Sequence, residues 1–159
     1  LGMTKLPEPS WWTRRFVEIA RELETHDHYE VRFGPHKGRR TSLCGFIEEV
    51  LPRTQGRNVL DACYDWGSGA FLIETVPSVL CILERHGHDP EEAIVRAVND
   101  TRDNDTIAAI VGAAVGALHG RSRLPKRWLN GLLGRIRKDD DGAVFRLIDE
   151  AIEVFGPAS

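Results

Sequence analysis

Asp103, Asp105 and Thr106 stand together at the mouth of a segment whose apolar spacing predicts a helix. Carboxylate and hydroxyl oxygens are hard donors, suited to Mg²⁺, Ca²⁺ or Mn²⁺. In a turn entering a helix, two Asp residues two apart can point into the same space. The same residue types are also ordinary caps, because acids near a helix N-terminus satisfy its free amides and oppose its positive end. On the acids alone, capping is the stronger reading. That positive end does not itself attract a cation, and the free amides suit a phosphate better. An EF-hand does not fit. Counted from Asp100, the sixth position is Asp105 instead of Gly and the twelfth is Val111 instead of Glu; counted from Asp103, the fifth is Ile107.

Other chemistry-bearing residues are more isolated. His26-x-His28 and His86-x-His88 have metal-pair spacing, but both lie in polar, turn-like sequence without a clear third ligand and read as solvated. Glu74 is a lone carboxyl at a helix start and reads as structural, although it adjoins the Gly67–Gly69 loop. Trp11, Trp12 and Trp66 offer rings that could stack on a base; Trp12 reads as core and Trp66, beside Gly and Ser, as open. Asp139, Asp140 and Asp141 read as a solvated cap for the last helix.

These residues must be positioned by helices. An apolar stripe at Trp12, Phe16, Ile19, Ala20 and Leu23 predicts a helix over 11–23, with Ser10 as N-cap. A polar stretch over 26–41, punctuated by Gly34, Pro35 and Gly38, reads as loop. Residues 43–51 predict a short helix ended by Pro52. Residues 70–85 are apolar nearly all round, which predicts a central buried helix kinked or opened by Pro77 and ended by Gly87. Asp89-Pro90-Glu91-Glu92 is a helix start. The next helix, 107–119, carries Gly112, Gly116 and Gly120 four apart with alanines beside them, and the pattern predicts a buried helix approached closely by another. Pro125 opens a short helix through Trp128 and Leu132, and 144–155 predicts a last amphipathic helix. No segment alternates as a strand would and there is no sequence repeat, so the fold class is all-α.

Composition sets the frame. The 159 residues fit a single domain, 1–159, long enough to bury a core. Twenty-one Lys plus Arg against 24 Asp plus Glu leave a formal charge of −3, without the basic excess of a nucleic-acid surface. No apolar run is long enough to span a bilayer. Leu1-Gly2-Met3-Thr4-Lys5 lacks a signal-peptide stretch and reads as a cloning remnant or an internal cut. Cys44, Cys63 and Cys81 lack metal-site spacing and read as reduced, mostly buried thiols of a cytoplasmic protein.

The stretch Ala97-Val98-Asn99 through Asp103-Asn104-Asp105-Thr106-Ile107-Ala108-Ala109-Ile110, then Gly112-Ala113, Gly116-Ala117, Gly120, Leu124-Pro125 and Trp128, resembles the C-terminal signature of ADP-ribosylglycohydrolases. That family shows Gly-Gly-Asp-x-Asp-Thr, a small-residue helix, then a Pro and a Trp. Glu74-Thr75-Val76-Pro77-Ser78 and the following helix resemble the segment upstream. The likeness is good from Gly67 to about Leu132 and loose over residues 1–60. It implies a compact orthogonal all-α bundle, present as a partial fold, and metal-dependent hydrolysis of the glycosidic bond joining ADP-ribose to a protein or small-molecule target. It implies two divalent cations, Mg²⁺ or Mn²⁺, with Asp103, Asp105 and Thr106 standing where the C-terminal metal ligands stand. It places Gly67, Ser68, Gly69 and Ala70 where the chain passes close to ADP-ribose, and glycine there lets the backbone approach a ligand.

Two departures qualify what the resemblance implies. Thr101-Arg102 replaces the Gly-Gly and brings bulk and a positive charge beside the acids. The Gly-Asp opening and the Thr-Asp-Asp cluster of the family's N-terminal half are missing, and the acid that assists water attack is expected there. No catalytic acid or base is therefore assigned. The expected partners are an ADP-ribosylated substrate and the N-terminal half, or a self-association partner; neither nucleic acid nor membrane is expected. A non-catalytic ADP-ribose-binding or structural fragment is the alternative.

Overall fold

The computed structural model describes residues 7–25, 28–132 and 143–155. The chain divides into two compact units, Leu1–Arg123 and Leu124–Ser159. In the first, the order is α1 (Trp11–Leu23), β1 (Tyr29–Glu30), β2 (Arg40–Thr41), α2 (Leu43–Arg53), α3 (Val59–Cys63), α4 (Leu72–His86), α5 (Pro90–Asp100) and α6 (Asn104–His119). The second contains α7 (Lys126–Leu132) and α8 (Ala143–Phe155). Among the described residues the protein is all-α apart from the short ribbon of β1 and β2.

Alpha-4 is the hub. Ile73, Glu74, Thr75, Pro77, Ser78, Val79, Leu80, Cys81, Ile82 and Leu83 are all buried, as an apolar surround demands. It packs against α1, α2, α3, α5 and α6. Pro77 sits in its second turn and Gly87 is its C-cap. Asp89 caps α5 by accepting from the Glu91 and Glu92 amides, with Pro90 at the first position. The thiols of Cys44, Cys63 and Cys81 are free and buried. Loss of hydration pushes Cys44 up to about 11 and Cys81 up to about 12, so neither is a ready thiolate at neutral pH.

Four expectations need correction. Ser10 does not cap α1 through its side chain: its backbone is itself helical and its hydroxyl makes no capping bond, and the entry is made instead by a turn from the Trp11 amide to the Glu8 carbonyl. The 26–41 loop contains the antiparallel pair Tyr29–Thr41 and Glu30–Arg40; two-residue strands are too short to show alternation. Pro52 does not end the 43–51 helix but lies inside α2, which runs to Arg53, while α3, five residues capped by Asn58, is too short to show a helical period.

The fourth concerns α6. It is buried only along Ile107, Val111 and Val115, while Ala109, Ile110, Ala113 and Ala117 are exposed. A Cβ built on Gly112 would touch Ile94 at an ordinary 3.9 Å, and one on Gly116 would meet nothing within 4 Å. The small-residue face is thus turned away from the first unit's core. Its main neighbour is α5, whose Ala93 and Ala97 are fully buried and whose Ile94 faces Gly112.

In the second unit α8 is amphipathic, and its Val144, Leu147, Ile148, Ile152 and Phe155 are exposed. Asp139, Asp140 and Asp141 lie outside the described residues. Among those described, no helix is long and apolar enough to cross a membrane.

Candidate functional site

The glycine loop is built from below. Trp66, with no exposed surface, anchors its start: the indole Nε1 donates to Ser78 Oγ at 2.9 Å, and Ser78 Oγ donates to the Glu74 carbonyl at 2.8 Å. The ring is a core anchor, which corrects its reading as open. Gly67 then turns the chain at φ +79°, and its amide donates to the Cys63 carbonyl at 2.8 Å. A Cβ there would stand 3.1 Å from both Glu74 Oε2 and Phe33 Cβ, so a left-handed turn and a tight slot both require glycine.

Gly69 is gripped from both sides by the first turn of α4. Its amide donates to Glu74 Oε2 and its carbonyl accepts from Thr75 Oγ1, each at 2.9 Å. A Cβ on Gly69 would stand 2.4 Å from Glu74 Oε2. Glu74 is 1% exposed, and its Oε1 is buried without a hydrogen-bond partner among the described residues. The structural reading of Glu74 extends further than the sequence could reach: this carboxyl fixes the shape of the loop. Within the loop, Gly67 and Ser68 are buried, Gly69 is half-buried and Ala70 is exposed.

Ser68 joins this loop to the acid segment. Its carbonyl accepts from the Asp103 amide at 2.8 Å, and its Oγ accepts from the Arg102 amide at 3.0 Å. Upstream, Thr101 closes α5 by donating its hydroxyl to the Ala97 carbonyl at 2.6 Å. The Gly67–Ala70 and Asp103–Thr106 segments, 34 residues apart at the Ser68–Arg102 bond, are therefore spliced backbone to backbone.

Asp103 occupies the N-cap position of α6, yet its side chain makes no capping bond. Its Oδ2 is buried without a partner among the described residues, and its carboxyl is an electrostatic neighbour of Asp105. The Thr106 amide, donating to Asp105 Oδ1 at 2.9 Å, and then the Asp103 carboxyl hold Asp105 below the usual carboxylate range. Thr106 is exposed on the first turn. The structure thus brings Asp103 and Asp105 together, with Thr106 adjacent through its amide. Two carboxyls sharing a space, one with an orphaned oxygen, suit one edge of a divalent cation's oxygen shell. They do not make a whole shell, which takes six or more ligands. Among the described residues no group of three or more His, Cys, Asp or Glu could hold a metal ion.

Neither histidine pair adds to the site. His88 and His28 are exposed; desolvation on α4 holds His86 below its ordinary value; His26 lies outside the described residues.

Beside the splice lies a cavity of about 400 Å³, bounded by Phe33, Tyr64, Gly67, Ser68, Asp100 and Arg102 among others. A larger hollow of about 540 Å³ between α1 and α2 carries none of the candidate site residues. The aromatic walls were not legible in sequence, because Phe33 lies in a loop and Tyr64 just past the five-residue α3, neither with a periodic signal.

Comparison with known proteins bears on this arrangement. Residues 5–157 match the profile of the family described as ADP-ribosylglycohydrolase, which extends the likeness beyond the segment from Gly67 to Leu132. The chain is similar to the uncharacterized protein YegU of Escherichia coli (strain K12), 41% identical over 54 residues, 34% of this chain and 16% of that protein. It is also similar to an uncharacterized protein of Archaeoglobus fulgidus, 49% identical over 49 residues, 31% of this chain and 15% of that protein. The matched stretch spans about a sixth of each relative's length. No solved structure matches the chain.

Proposed function

The chain belongs to the ADP-ribosylglycohydrolase family, and from that premise we propose that it contributes one wall of a metal-dependent site hydrolysing the glycosidic bond between ADP-ribose and its target. The observation that carries the reading is the splice of Ser68 onto Arg102 and Asp103, which seats the ligand-approach loop and the acid pair on one rigid joint.

In this reading Asp103, Asp105 and Thr106 hold divalent cations, Mg²⁺ or Mn²⁺, along one edge. When bound, such ions would polarise ribose oxygens and lower the pKa of a water. Gly67 and Gly69 let the loop backbone stand where a side chain would exclude a ligand. Glu74 and Thr75 keep that backbone from shifting as the ligand binds, so orientation is set before chemistry. The remaining cation ligands and the proton-accepting carboxyl come from a partner segment, an N-terminal half or a second copy. The exposed apolar residues of α6 and α8 are consistent with such a partner.

The test is calorimetric titration of Mn²⁺ into the full-length protein and its Asp105→Ala variant, alongside release of ADP-ribose from a modified peptide. Altering residues that merely surround metal ligands costs about 10–100-fold in affinity, so removing a ligand should cost at least that. Undiminished uptake by Asp105→Ala would leave the acids with no metal role. The 159-residue chain alone should release no ADP-ribose, and robust release would show that a base lies within it.

A further inference from the structure

Two guanidinium groups flank the glycine loop, each laid on a phenyl ring. Arg102 Cζ is 4.7 Å from the Phe33 ring centre, and Arg32 Cζ is 3.9 Å from that of Phe71. The pairs are interlocked through sequence: Arg32 and Phe33 are neighbours after β1, Phe71 follows Ala70, and Arg102 precedes Asp103. Phe33 also packs over Gly67, where it lies 3.1 Å from the place of a Cβ. The rings are 43% and 52% exposed, and both arginines are exposed. Stacking holds each guanidinium plane while leaving its N–H edge free.

Neither arginine forms an ion pair with a described residue, although nearby arginines do. Arg57 bonds Asp65 at 2.7 Å; Arg96 bonds Glu92 at 3.0 Å and Asp100 at 3.3 Å. Asp100 is the acid that lines the cavity with Arg102, and Arg96 engages it. Arg102 is fixed at its base by the bond from its amide to Ser68 Oγ. Two ring-stacked cations without acid partners among the described residues, one tied to the loop at Ser68 and the other laid on the Phe71 that follows it, suit an anion of two or more charges.

We propose that Arg32 and Arg102 are specificity-determining residues that clamp the phosphate groups of the ligand against the Gly67–Ala70 loop. The proposal rests on the reading that the ligand is an ADP-ribosyl group, and it adds which side chains of this chain recognise its diphosphate. Because Arg102 adjoins the acid pair, the clamp also sets the distance from the phosphates to the reacting ribose.

The experiment is calorimetric binding of ADP-ribose, adenosine and inorganic diphosphate to the full-length protein and its Arg32→Ala, Arg102→Ala and Arg102→Lys variants, each checked for an unchanged Tm. Each alanine variant should bind ADP-ribose and diphosphate about tenfold or more weaker, as loss of a charge-assisted contact implies, with adenosine unaffected. Arg102→Lys should recover part of the loss, since the charge remains and the planar fork does not. Unchanged affinity for both phosphate probes, or equal weakening for adenosine, would overturn the clamp. Arginine-dependent diphosphate binding without ADP-ribose binding would keep the clamp and sink the ADP-ribosyl reading.

Discussion

Glu74 provides the sharpest test of how the site is held. Its carboxyl is buried under the glycine loop, accepts the Gly69 amide through Oε2, and leaves Oε1 without a described partner. Glu74→Ala strands the Gly69 amide, which costs about 1–3 kcal/mol, and opens a void that adds about 1 kcal/mol. The sum, about 2–4 kcal/mol, should lower Tm by roughly 5–15 °C in a chain of this size. Glu74→Gln keeps the volume and an acceptor for Gly69, and should stay within about 1 kcal/mol of the parent. Gly69→Ala alone should cost about 2 kcal/mol, because its Cβ would stand 2.4 Å from Oε2. In the Glu74→Ala background that clash is absent, so the second change should add little, and a double-mutant cycle should return more than about 1 kcal/mol of coupling. Urea unfolding of the parent and the four variants measures this. Additive losses, or a Gln variant as weak as Ala, would refute the claim that Glu74 acts by filling the space that Gly69 vacates.

Two further outcomes concern the scaffold. Gly116→Ala on α6 should stabilise by about 0.5–1 kcal/mol in thermal unfolding, since a Cβ meets nothing there and alanine favours helix; a loss would reveal close packing that the first unit does not display. Glu24 accepts the Cys44 amide at 3.0 Å and the Leu43 amide at the start of α2, so Glu24→Ala should cost about 1–2 kcal/mol, as loss of a cap does. Desolvation pushes the Glu24 carboxyl up, but those amides and Arg21 outweigh it and hold it below its ordinary value. With a folded pKa below the unfolded one, its contribution is present above the unfolded value of about 4.3 and lost as pH falls through the folded value. Urea midpoints from pH 6 to pH 3 should fall less steeply for Glu24→Gln than for the parent; parallel curves would remove Glu24 from the acid response.

Much of the helical order was present in local sequence. The stripe of α1, the all-round apolarity of α4, and Asp89-Pro90 before α5 are each signals carried within a turn or two of chain, and the helices began where those signals lie. The acid motif was legible for the same reason, because Asp103, Asp105 and Thr106 are neighbours. What escaped was short or non-local: α3 and the two-residue strands lack room for a period, and the α6 glycines predicted a close partner that the core does not supply.

The sequence by itself determined an all-α chain with oxygen donors at a helix mouth and glycines in one loop, since helix periodicity, capping chemistry and motif spacing are properties of adjacent residues. Only the tertiary structure decided that Ser68 ties the loop to Asp103, that Glu74 and Thr75 grip Gly69, and that Arg32 and Arg102 lie on Phe71 and Phe33. Those contacts join residues between 5 and 69 positions apart. Their partners are chosen by which helices the core packs together, and buried amides and carbonyls then take whichever polar groups that packing leaves within reach.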